Sequence, residues 1–187
     1  SAPLLAETHE EFTRRTGHYI LERYGMTETN MITSNPYNGE RRPGTVGKPL
    51  PDVEIQINDS QTGRENADGE IGMIEVRGPN VFKGYWNMPD KTALELKENG
   101  FFITGDLGKL SSDGYLSIVG REKDLIITGG YNVYPKEIED VLNELEKIYE
   151  TAVFGISDTD FGERVVAAVV MAENESFDKS ETEIFVN

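Results

Sequence analysis

Apolar positions near the start of the chain form a weak helical stripe. Leu5 and Phe12 carry it and Gly17 stands where a helix would stop, so a helix is expected over residues 5–16. Tyr19-Ile20-Leu21 reads as a short buried strand that delivers the chain to the polar hexapeptide Tyr24-Gly25-Met26-Thr27-Glu28-Thr29, expected to be a loop. Residues 33–51 hold Asn35-Pro36, Asn38-Gly39, Pro43-Gly44, Gly47, Pro49 and Pro51, the residue types of successive turns. The pattern then takes a period of two. Val53, Ile55 and Ile57 alternate with polar residues, and so do Ile74 and Val76. Phe101-Phe102-Ile103 is an unbroken apolar run, and Ser111-Ser112-Asp113-Gly114 is a hairpin turn leading into a strand over Tyr115–Val119. A short helix beginning at Pro89 interrupts these strands. Short strands at this spacing predict a small barrel or sandwich.

Beyond Arg121 the period changes again. Ile138, Val141, Leu142 and Leu145 fall at i, i+3, i+4 and i+7, one face of a helix that starts at Pro135. Val153-Phe154 opens a strand, and Val165–Met171 reads as a buried one. The charge balance shifts at the same place, from 13 basic and 19 acidic residues through Glu122 to 5 and 15 after it. A domain boundary is therefore expected near residues 121–124, between a β-rich part and a smaller α+β part. Ser180 and Glu183 have capping-box spacing just before Ile184-Phe185-Val186, a helix start without a helix body. With no Met at position 1, the chain reads as a piece of a longer protein.

Composition removes several kinds of function. The net charge of −16 disfavours a phosphate backbone or anionic membrane as partner, because those need clustered Lys and Arg. The absence of cysteine excludes a disulfide framework, a thiolate metal site and a Cys nucleophile. His9 and His18 are too few for a His-rich metal cluster, and no apolar run has the length of a membrane span.

Four stretches could carry chemistry. Thr27-Glu28 places a hydroxyl beside a carboxylate, which suits a phosphate oxygen and Mg²⁺; a solvated polar loop would read the same. Asp106 in Thr104-Gly105-Asp106 could accept ribose hydroxyls, or belong to a turn after the Phe101–Ile103 strand. Arg121 and Lys123 offer a planar and a mobile cation, or an exposed pair with Glu122 and Asp124. Gly129-Gly130 permits close approach to a ligand, or a tight turn between a strand and a helix.

Taken in order, YGMTE, TGD, GR-x-KD and GGYNVYPKEIE resemble the motif series of the adenylate-forming enzymes, which comprise acyl-CoA synthetases, adenylation domains and luciferases. The resemblance spans essentially the whole chain, and the wording ERYGMTETNM, GPNVFKGYW and FFITGDLG is most similar to the malonyl-CoA-forming branch. It implies an α+β, β-rich fold. Residues 1–122 would be the end of a large AMP-binding domain, with a distorted β-barrel subdomain from about residue 40, and residues 123–187 a truncated lid. It implies that ATP and a carboxylic acid give an acyl-adenylate, which the thiol of coenzyme A then attacks to release AMP. By the same resemblance, Ala2 and Pro3 flank the adenine, Tyr24 stacks on its other face beside Gly25, Thr27 bonds the α-phosphate and Glu28 holds Mg²⁺. Asp106 takes the ribose hydroxyls with help from Arg121, Lys123 is the hinge, and Gly129 and Gly130 line the pantetheine channel.

The family's pyrophosphate-cradling loop and its C-terminal lysine match nothing in this sequence, so the 187 residues alone are expected not to adenylate. The implied partners are a small carboxylic acid and coenzyme A, and the implied compartment is the cytoplasm, or the mitochondrion in a eukaryote. Malonate requires a cation for its second carboxylate, for which Arg41 and Arg42 are candidates. A fatty- or aryl-acid ligase is the alternative within the family; a non-catalytic acidic interaction module is the alternative outside it.

Overall fold

The structure is a computed structural model and describes Leu4, residues 6–173 and residues 175–176. The chain divides into two compact units, Ser1–Lys123 and Asp124–Asn187. The expected capping box at Ser180–Glu183 lies outside the described residues.

The first unit opens with helix α1 (Ala6–Thr16), and Gly17 ends it by donating its N–H to Thr13 O at 2.8 Å. Strands β1 (Arg23–Met26), β2 (Asn30–Ser34) and β3 (Lys48–Pro49) form one antiparallel sheet. Strands β4 (Glu54–Asn58), β5 (Gly72–Arg77), β6 (Phe102–Leu110) and β7 (Leu116–Arg121) form a second, an antiparallel meander with helix α2 (Pro89–Glu95) between β5 and β6. The Ser111–Gly114 turn joins β6 to β7 as expected, with Gly114 N–H on Ser111 O. Val46 N–H bonds Leu116 O and Leu116 N–H bonds Gly47 O, both at 2.8 Å, which ties the approach to β3 on to β7.

Period-two patterning explains the core. Ile57, Ile74, Val76 and Leu116 pack with Ile32, Val46 and Tyr24. Each fully buried apolar side chain of this size contributes roughly 1.5–3 kcal/mol before the entropy of ordering is set against it.

Three expectations change here. Tyr19-Ile20-Leu21 is not a strand: Tyr19 is largely exposed, and the first pairing is Arg23 with Ser34, so the strand lies further on. The strand therefore takes in Tyr24-Gly25-Met26, and only Thr27–Thr29 is left as the turn. The barrel is not closed. Among the described residues β4 and β7 are the outer strands of their sheet, and no strand pairing joins β4 to β1.

The loop between β2 and β3 is pinned by its arginines. Arg41 donates to Tyr19 O at 2.6 Å, Tyr37 O at 3.1 Å and Pro36 O at 3.3 Å. Arg42 lies 4.0 Å from the centre of the Tyr115 ring and donates to both Asp113 oxygens, at 2.9 and 3.3 Å. The hydrogen bonds from Arg42, then that from Ser111, pull the Asp113 carboxyl down to about 2. A depressed acid stabilises the fold fully above its unfolded value of 3.8 and loses that contribution as pH falls through about 2. The melting temperature is thus expected to fall less between pH 4 and pH 2 in Asp113→Asn than in the parent; equal slopes would contradict the contact.

The second unit comprises β8 (Ile126–Thr128), β9 (Tyr131–Val133), α3 (Pro135–Asn143), β10 (Ile148–Asp158) and β11 (Gly162–Met171), with strand order β10-β11-β8-β9. Among the described residues, Ile126 and Val153 are its buried apolar ones. Helix α3 starts at Pro135 as expected, and of the face the spacing implies Ile138, Leu142 and Leu145 are half-buried while Val141 departs from it. Val141 is 53 % exposed, and Glu139 Oε1 accepts the Val153 N–H at 2.8 Å. β11 forms over the expected run, yet none of its residues is fully buried. Its pairing along β10 sets Val166 opposite Phe154 and Val170 opposite Glu150, on a face where Phe154, Ile156 and Val170 are exposed.

Candidate functional site

The centre of the candidate site is the Asp106 carboxylate, placed by an irregularity in β6. Ile103 pairs with Glu75 and Leu107 with Met73, so Thr104, Gly105 and Asp106 all stand opposite the single residue Ile74. Thr104 Oγ1 fills the gap by donating to Ile74 O at 2.8 Å and accepting the Asp106 N–H at 3.1 Å. Thr104-Gly105-Asp106 is therefore a bulge within a strand, where a turn after a strand was expected; such bulges re-aim a side chain.

That re-aimed carboxylate is buried and doubly held. Its Oδ2 accepts the Tyr24 hydroxyl at 2.5 Å, and its Oδ1 lies 3.0 Å from Arg121 Nε. Arg121 is its direct cross-strand partner on β7. Burial, followed by the charge of Asp106, pushes the Tyr24 phenol well above its ordinary value, so it remains a donor. A carboxylate offers about four acceptor positions. Two are used here, by the Tyr24 hydroxyl and by Arg121.

Tyr24 is also a member of the apolar core, so the sheet fixes its ring while its hydroxyl meets Asp106. Gly25 follows it at a register shift between Tyr24 and Gly25. A Cβ there would lie 2.2 Å from Asn30 O, so the hairpin itself requires glycine. The turn beyond it presents Thr27 exposed and Glu28 half-buried, with Thr29 N–H on Met26 O at 3.2 Å.

Glu28 is held by residues that no local pattern indicated. Its carbonyl accepts the Phe82 N–H at 2.8 Å, and its Oε1 lies 3.1 Å from the Tyr85 hydroxyl. Asn80 donates to Thr29 O and Met31 O at 2.8 and 3.1 Å. These partners sit about fifty residues away in sequence, and only the wording GPNVFKGYW drew attention to that segment. Among the described residues no group of three or more His, Cys, Asp and Glu gathers to hold a metal. Magnesium bound through nucleotide phosphates needs only one or two carboxylates, so Glu28 with the Thr27 hydroxyl fits an ion that arrives with its nucleotide.

The remaining expected residues lie elsewhere. Lys123 is exposed in a single 3-10 turn over Glu122–Asp124, the last residue of the first unit. Gly129 and Gly130 belong to the second unit and lie between β8 and β9, whereas a connection from strand to helix was expected. Thr128 pairs with Tyr131 across them, and their φ values of 56° and 85° are those of a two-residue hairpin turn. Ala2 and Pro3 lie outside the described residues. Arg41 is engaged by three carbonyl oxygens, and Arg42 is paired with the Asp113 carboxylate.

The AMP-binding enzyme family matches residues 1–86, and the AMP-binding enzyme C-terminal domain family matches residues 137–186. The chain belongs to the adenylate-forming enzymes, and the relatives below that carry an activity in their names are CoA ligases. It is 41 % identical over 186 residues to a long-chain-fatty-acid–CoA ligase of Bacillus subtilis, covering 99 % of this chain and 33 % of that protein. It is 45 % identical over 169 residues to a malonate–CoA ligase of Arabidopsis thaliana, covering 90 % of this chain and 27 % of that one. The crystal structure of ATP-bound MatB from Rhodopseudomonas palustris is 58 % identical and superposes with a TM-score of 0.94, over 97 % of this chain and 36 % of that one. The chain thus spans about a third of the length of these proteins.

Proposed function

We propose that the chain carries the nucleotide-binding end of an ATP-dependent acid–thiol ligase, which activates a carboxylic acid as its acyl-adenylate and passes the acyl group to coenzyme A. The observation that carries this reading is the buried Asp106 carboxylate, oriented by Tyr24 and Arg121. In it, Asp106 receives the two ribose hydroxyls, and Arg121 orients the carboxylate through its Nε. Thr27 donates to the α-phosphate from its exposed turn. Glu28 would hold Mg²⁺, and the ion would supply charge neutralisation at the α-phosphate oxygens. Lys123 is the hinge, and the Gly129-Gly130 turn lines the path of the pantetheine thiol.

Malonate is the acid we favour, on the 45 % identity to the malonate–CoA ligase and the wording around Tyr24. A long-chain fatty acid is the second reading, supported by 41 % identity to the Bacillus enzyme. The test is a substrate panel on a full-length protein carrying this chain, with ATP, Mg²⁺ and coenzyme A. The expected result is release of AMP and pyrophosphate with the highest kcat/KM for malonate. A higher value for a long-chain acid replaces malonate, and no acid-dependent pyrophosphate release sinks the ligase reading.

A further inference from the structure

We propose that Tyr85 is a positioning residue for Glu28 and that Glu95 of α2 holds Tyr85 in that role. The inference rests on Glu28 bearing the magnesium ion in the function proposed above.

Tyr85 is fixed from several sides. Its backbone N–H donates to Thr92 Oγ1 at 2.9 Å. Its ring meets Phe82 edge-on, with centroids 4.8 Å apart, and Lys91 Nζ lies 4.1 Å from its centre. Its hydroxyl stands between two carboxylates, 2.6 Å from Glu95 Oε2 and 3.1 Å from Glu28 Oε1. Lys91 is also 4.0 Å from Glu95 Oε1, so α2 holds both ends of the arrangement.

One phenol proton cannot serve two charged carboxylates fully. The shorter contact, to Glu95, is the one with the geometry of a hydroxyl-to-carboxylate bond. The longer contact limits the rotation of the Glu28 carboxylate while leaving it the charge and acceptor positions that a cation needs. The main chain adds its part, because Phe82 N–H fixes the Glu28 carbonyl. The segment between β5 and α2 thus sets both the backbone and the carboxylate of Glu28.

The experiment uses a full-length protein carrying this chain and compares Tyr85→Phe with Glu28→Gln. Partners that orient a metal-bearing side chain change metal affinity by about 10–100-fold when removed. Tyr85→Phe is expected to raise the Mg²⁺ concentration for half-maximal pyrophosphate release by about tenfold, with the KM for the acid unchanged. It is also expected to shrink the Mg²⁺-dependent part of the thermal shift produced by ATP, a readout independent of turnover. The proposal is overturned if Tyr85→Phe changes neither quantity while Glu28→Gln changes both, or if Tyr85→Phe lowers only the melting temperature. If Glu28→Gln itself leaves both unchanged, the metal role of Glu28 fails first, and the role of Tyr85 goes with it.

Discussion

Asp106→Ala is expected to lower AMP affinity at least about a hundredfold and to destabilise the fold by about 2 kcal/mol. The two effects have separate causes. Two hydrogen bonds from ribose hydroxyls to a charged acceptor contribute about 1.5–3 kcal/mol each, and a hundredfold is about 2.7 kcal/mol. The stability loss comes from Tyr24. Its hydroxyl is buried at 2.5 Å from Asp106, and alanine leaves that donor without its carboxylate in a site from which water is largely excluded. Arg121 loses less, since its side chain is 54 % exposed and can turn to solvent. The causes separate in a double-mutant cycle. Adding Tyr24→Phe to Asp106→Ala removes the orphaned donor and is expected to recover most of the lost stability, but none of the affinity. Isothermal titration with AMP and urea denaturation measure the two quantities. An unchanged midpoint for Asp106→Ala would show that Tyr24 does not depend on the carboxylate. Recovered AMP binding in the double variant would remove Asp106 from the ribose site.

What could be read from the residues alone divides along a physical line. Features decided within a few residues were legible: the stop at Gly17, the Ser111–Gly114 hairpin, and the Pro starts of α2 and α3. The motif order sets Arg121 beside Asp106 but gives Tyr24 to the adenine; the bond of the Tyr24 hydroxyl to Asp106, with the ring in the apolar core, is not legible in it. Features decided by sheet register were not legible either. Whether Thr104-Gly105-Asp106 is a turn or a bulge depends on how many residues of β6 face Ile74, and that is a property of β5 as well. The contact of Tyr85 with Glu28 depends on where the connection after β5 crosses the β1–β2 hairpin. The period-of-3.6 face of α3 misled at Val141, because Glu139 turns inward to accept the Val153 N–H. Polar residues that serve a neighbouring backbone are invisible to a hydrophobic pattern.

The same register argument makes Gly47→Ala the most damaging small substitution in the first unit, with an expected loss of about 4 kcal/mol or more. Gly47 has φ 84°, a left-handed conformation that costs an alanine roughly 1 kcal/mol. The larger part is steric. A Cβ at Gly47 would lie 2.0 Å from Ser34 C and 2.1 Å from Asn35 N and Ser34 O, all main-chain atoms that cannot turn aside. Relief requires moving this segment away from β2, which breaks the paired bonds of Val46 and Gly47 to Leu116 that tie the β1–β3 sheet to β7. Thr33 Oγ1 also loses Val46 O, which it meets at 2.6 Å in a buried position. Gly63 supplies the control. Its φ is 67°, yet nothing lies within 4 Å of a Cβ there, so Gly63→Ala carries the backbone strain without the clash. Urea denaturation followed by far-ultraviolet circular dichroism should give a small shift for Gly63→Ala and near-complete loss of the transition for Gly47→Ala. Equal shifts would mean that backbone strain alone sets the cost, and that the β2 main chain yields where this packing says it cannot.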